Sequence, residues 1–138
     1  MAFVTGMTVA LGVAAFARLA GLDRDRAFYP TVLIVTASYY VLFAVLGGDD
    51  HALMLEAIVL AAFASAAVLG LHRDHALVTA GLALHGVFDV IHGHAIANPG
   101  VPDWWPAFCL GFDVAAAGYL IATRWHVSIA RSIKRANA

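Results

Sequence analysis

Apolar residues run along this chain in five blocks, at 3–20, 28–46, 52–71, 76–97 and 104–123. The separators are short and polar or turn-forming: GLDRDRA, GGDDH, HRDH and ANPGVPD. A bilayer core needs about 20 residues of apolar helix to cross it, so each block predicts a transmembrane helix. The expected fold is all-α, an integral membrane bundle of five transmembrane helices. Little chain remains outside the blocks, which predicts a single transmembrane domain over 1–138. The start, MAFVTGMTVALG, lacks a basic n-region, and Arg18 follows the apolar run. The first block therefore reads as a retained span rather than a cleaved signal peptide.

Composition strengthens the membrane assignment. The chain is 62% hydrophobic and only 12% charged, against roughly 25% charged residues in soluble domains. Mean hydropathy is +0.84. The single cysteine, Cys109, excludes an intramolecular disulfide. The net charge of −1 says little, but its distribution says more. Arg18, Arg24 and Arg26 flank the first connection, Arg73 lies in the third, and Arg124, Arg131, Lys134 and Arg135 follow the last block. With five spans these regions share one side. The N-terminus and the GGDDH and ANPGVPD connections share the other and contain no Lys or Arg. The positive-inside rule predicts the N-terminus outside, the C-terminus cytoplasmic, and a multi-pass protein of the inner (cytoplasmic) membrane. The tail SIARSIKRANA reads as an anchor at anionic headgroups. The basic residues are not interleaved with stacking aromatics in a soluble domain, so nothing points to nucleic acid.

The fourth block carries the chemistry. In LALHGVFDVIHGH, His85, Asp89 and His92 stand at i, i+4 and i+7, a narrow stripe on one helix face. Ionisable groups inside a bilayer are costly and mark functional sites by default. Span four runs outward, placing His85 near mid-membrane and His92 about 10 Å further out at 1.5 Å rise per residue. The same rise puts Asp113 of span five near the level of His85, and Glu56 of span three near Asp89 and His92. Tyr39 and Tyr40 could add hydroxyls from span two.

Glu56, Asp89 and Asp113 thus sit within apolar spans with no Lys or Arg there to pair with them. An unpaired buried carboxylate costs several kcal/mol and must be protonated, hydrated, paired or bound to a cation. Imidazole with carboxylate suits zinc first, and iron or copper as well. The expected metal site is His85, Asp89 and His92, with Asp89 central and Asp113 and Glu56 completing it from facing helices. The competing interpretations are a hydrogen-bonded network joining the helices and proton or small-ion handling. Haem held by two histidines lacks a second deep histidine on a facing helix. Cys109, one turn before Asp113, is either a soft ligand or a small apolar core residue. His51, His72, His75 and His126 read as loop or interface residues, and His94, nine residues after His85, would face away from it unless Gly93 ends the helix. Trp104 and Trp105 fit an interfacial aromatic belt, or a lid over an outward-facing cavity.

HGVFDVIHGH, VPDWWPAFCLGFD and the upstream FYPTVLIVTASYYVLFAVLGG together resemble a family of small bacterial multi-pass membrane proteins with HGxxDxxH and VPxWxPxFCxxxD patterns. The resemblance spans 28–119. It implies that His85, Asp89, His92, Cys109 and Asp113 belong to the family pattern, and it implies no activity. Intramembrane His and Asp ligands also resemble, more loosely, the seven-span zinc hydrolases related to alkaline ceramidases. This chain has fewer spans and lacks their HxxxH pair, so that likeness is analogy alone. The leading expectation is a metal-dependent membrane enzyme, a hydrolase with zinc or an oxidase with iron or copper, acting on a lipid or other apolar substrate. The alternatives are a protein that binds or transports a metal ion or protons, and a non-catalytic subunit of a larger membrane complex or homo-oligomer.

Overall fold

In a computed structural model the backbone is described for residues 1–136 and the side chains for 1–123. Five α-helices form: α1 Ala2–Ala20, α2 Phe28–Gly47, α3 Asp50–His72, α4 His75–Ala95 and α5 Trp105–Ala136, with a single 3-10 turn at Leu22–Arg24. Each is long and apolar enough to cross a membrane, α5 through its segment Trp105–Thr123. Helices of this kind imply a bilayer environment. The basic tail, with Arg131, Lys134, Arg135 and His126, lies outside the residues whose side chains are described, as does Arg124.

The helix ends follow local chemistry. Gly21 and Gly48 close α1 and α2 in the left-handed conformation, at φ 77° and 67°, which glycine adopts without steric cost. The Asp49 carboxylate accepts from the backbone N–H of Ala52, and that of Asp74 from the N–H of Ala76, capping α3 and α4. The Asp49 cap is why α3 begins at Asp50, two residues before the apolar block. Helix α4 ends at Ala95, where Ile96 turns extended.

The main packing order is α1 on α5, α5 on α4, α4 on α3 and α3 on α2. At one end Arg26 of the first connection donates to His75 at the start of α4, 3.2 Å away. At the other end Gly100 of the last connection meets Phe43 and Gly47 near the end of α2, closely enough that a Cβ on Gly100 would fall 1.9 Å from the Phe43 carbonyl oxygen. The arginine-bearing connections therefore share one end of the bundle, and the GGDDH and ANPGVPD connections share the other.

Polarity is arranged inside out. Leu84, Val87, Val90 and Ile91 of α4 are exposed, while His85, Asp89 and His92 of the same helix are buried. Soluble proteins bury the apolar face instead. Here the outward face is suited to lipid and the polar stripe turns towards α2, α3 and α5.

Candidate metal centre

The buried face of α4 runs through Val78, Gly81, Leu82, His85, Gly86, Asp89 and His92. Its glycines let neighbours approach: a Cβ on Gly86 would sit 3.5 Å from the Cβ of Asp113. Close approach brings Asp113 of α5 directly against the imidazole of His85. Nδ1 of His85 and Oδ2 of Asp113 are 2.6 Å apart, a hydrogen-bonded contact. Asp89, one turn along α4, places its Oδ2 3.6 Å from the same Nδ1. Its other oxygen accepts from the Tyr40 hydroxyl at 2.7 Å. His85, Asp89 and Asp113 each offer one ligand-type atom within 4.8 Å of the others, and all three residues are buried. The group could hold a metal ion.

Nearer the Asn98 end lies a second pair. Nε2 of His92 and Oε1 of Glu56 are 2.6 Å apart. The Asn98 side-chain amide donates both to Oε1 of Glu56 and to the backbone oxygen of Tyr40, each at 3.0 Å. The Tyr40 ring joins the two groups physically. It stacks on His92 with centroids 4.0 Å apart while its hydroxyl reaches Asp89. Phe63 and Phe88 close the sides, Phe63 edge-on to His85 at 4.9 Å and Phe88 edge-on to His92 at 5.3 Å.

All five sequence-predicted residues are therefore buried in the bundle, but as two clusters. Asp113 joins His85 and Asp89. Glu56 joins His92 instead. Of the two tyrosines, Tyr40 contributes its hydroxyl to the network, whereas Tyr39 is exposed and packs on Trp105. Cys109 is buried one turn before Asp113. His51, His72 and His94 are exposed, as sequence position implied. His94 lies on the far face because α4 continues through Gly93.

Asn98 is the residue that sequence reasoning missed. Its one signal was the Asn-Pro-Gly turn, which favours a side chain folded back on its own backbone. Here Oδ1 accepts from the Gly100 N–H at 3.2 Å, leaving the amide free to tie the loop to α2 and α3. This loop covers one end of the site. His92, Asn98, Val101, Pro102 and Asp103 contribute to a pocket of about 310 Å3 there. Asn98→Ala removes both amide donations and leaves a buried carboxylate short of a donor, a loss of about 1–3 kcal/mol. Hydrogen exchange in 96–103 is expected to rise while α1 is unchanged. Equal protection in variant and wild type would show that the amide does not hold the loop.

Four buried atoms in these clusters lack any hydrogen-bond partner: His85 Nε2, Asp89 Oδ2, Asp113 Oδ1 and Glu56 Oε2. Buried polar groups are ordinarily satisfied, so each residue of the His85 group retains one unused donor or acceptor atom. Comparison with protein families, with curated proteins and with solved structures found no match.

Proposed function

We propose that this chain is a metal-dependent membrane enzyme acting on a lipid or other apolar substrate, with the metal held by His85, Asp89 and Asp113. One observation carries the reading: an imidazole and two carboxylates, all buried, each bring one ligand-type atom within 4.8 Å of the others. Three such ligands plus a water are a common catalytic zinc set, and zinc is the first expectation, with iron or copper as alternatives. A bound metal ion would lower the pKa of its water and polarise a carbonyl or phosphoryl oxygen. Tyr40 holds Asp89 in place, and the His92–Glu56 pair stands between that group and the pocket beneath the Asn98 loop, where it can pass a proton.

Ion or proton transport is the second reading, favoured by polar groups at two depths. Against it, the core towards the arginine-bearing end is Leu33, Ala67, Val78, Leu82 and Ala116 with the buried hydroxyls of Tyr29 and Tyr119, and none of the buried carboxylates or imidazoles among the described residues belongs to it. We further propose, from the eight Lys and Arg residues all on one side, that the site lies in the outer half of an inner-membrane protein with the N-terminus outside. The motif resemblance supports membership of the small bacterial membrane family.

The test is the metal content of purified protein. Stoichiometric metal is expected in wild type and in His94→Ala, whose side chain is exposed, and is lost in His85→Ala, Asp89→Ala and Asp113→Ala. A folded wild type that binds no added zinc, iron or copper would overturn the reading.

A further inference from the structure

The packing order leaves a gap beside α2. Helix α1 lies along α5 and α2 lies against α3, and a lateral cleft of about 510 Å3 opens between α2 and the α1–α5 pair. Val9 and Val13 of α1, Val35 of α2 and Phe112 of α5 contribute to its walls. The hydroxyls of Thr31 and Thr36 also face it, but both donate to their own helix, to the carbonyls of Ala27 and Leu33. The walls therefore present hydrocarbon to a hydrocarbon solvent. On α2 the lining runs from Phe28 to Tyr39, about 16 Å at 1.5 Å per residue. That is about half of the ~30 Å hydrocarbon core, the depth of one leaflet.

Cleft and cluster are neighbours. Thr36 and Cys109 are buried yet belong to the cleft lining, so they form its floor. Each stands one helical turn from a cluster residue on the same face, Thr36 from Tyr40 and Cys109 from Asp113. At the other extreme Tyr39 and Trp105 meet with ring centroids 4.8 Å apart.

We propose that this cleft binds a single hydrocarbon chain of a membrane lipid whose polar group stays at the Phe28 end, the chain running along the cleft to Tyr39 and Trp105, as the lipid-side entrance to the His85 group. The role as an entrance rests on the metal reading, whereas the binding itself does not. Size selects a chain over a helix. A helix about 10 Å across would fill roughly 1,200 Å3 over this length, more than twice the space available. The volume suits a ligand pocket, for which about 300–1,000 Å3 is usual.

Photolabelling in membranes with a phospholipid carrying a diazirine on one acyl chain tests this. Adducts should concentrate on Val9, Val13, Val35 and Phe112, several-fold above the exposed Leu84 and Val87 of α4. Val35→Trp and, from the opposite wall, Val9→Phe should each reduce cleft labelling several-fold while metal content stays that of wild type. His85→Ala should lose metal and keep the labelling. Labelling as strong on Leu84 and Val87 as in the cleft would mean only surrounding lipid and would overturn the proposal. So would cross-linking of a second copy through the cleft. Metal without cleft labelling removes the entrance and leaves the metal centre standing. Cleft labelling without metal keeps the binding and removes both the metal centre and the entrance role.

Discussion

Gly6→Leu is expected to detach α1 from the bundle. A Cβ at Gly6 would fall 2.0 Å from the backbone oxygen of Phe108, and one at Gly111 would fall 2.1 Å from that of Phe3. The obstacle is backbone on both sides, so no rotamer change relieves it and the helices must part. Small residues let spans approach this closely, and van der Waals packing is much of what holds spans together in lipid. Overpacking a close contact costs about 1–3 kcal/mol and occasionally more. The upper end applies here, because α1 meets the rest of the bundle chiefly through α5. Gly12→Leu is the control, since nothing lies within 4 Å of a Cβ there. The measurement is thermal unfolding in detergent, combined with cross-linking between α1 and α5. An unchanged midpoint and intact cross-linking in Gly6→Leu would show that the contact is not what seats α1.

Such contacts also mark the boundary of what the sequence reveals. Span positions follow from hydropathy summed over about 20 residues, a local property, and the observed helices agree with the five blocks to within a few residues, apart from the extension of α5 past 123. The stripe was legible too, because i, i+4 and i+7 share a face whatever the neighbours do. Depth followed from rise per residue, and it put Asp113 near the level of His85 and Glu56 near the level of Asp89 and His92. Rotation of the facing helices did not follow. Five residues that could have formed one site instead divide at Tyr40, and only the packing of α2 against α3 and α4 decides that. Asn98 escaped notice because its partners lie 42 and 58 positions away. The cleft had no sequence signal, since it arises where two helices fail to meet.

The division at Tyr40 has a measurable energetic consequence. Glu56 and His92 are both buried, and their contact is 2.6 Å. Removing one partner of a buried hydrogen-bonded pair leaves the other unsatisfied, at a cost of about 1–3 kcal/mol. Glu56→Leu and His92→Phe should each destabilise by about that much, and the double variant by clearly less than their sum. Contacting residues show coupling energies of about 0.5–3 kcal/mol, whereas sites more than about 7–10 Å apart add independently. His92 and His85 are separated by about 10 Å along α4 and meet only through shared ring neighbours, Tyr40 and Phe88, so the cycle pairing His92→Phe with His85→Phe should show a smaller coupling than the Glu56–His92 cycle. On the proposed metal reading, metal content separates the groups in a second way: Glu56→Leu should keep the ion because His85, Asp89 and Asp113 are untouched. Strong coupling between the two histidines, with metal lost in both Glu56→Leu and His92→Phe, would mean that all five residues serve one ion. The His92–Glu56 pair would then be a ligand pair, and the proton path assigned to it would have to be withdrawn.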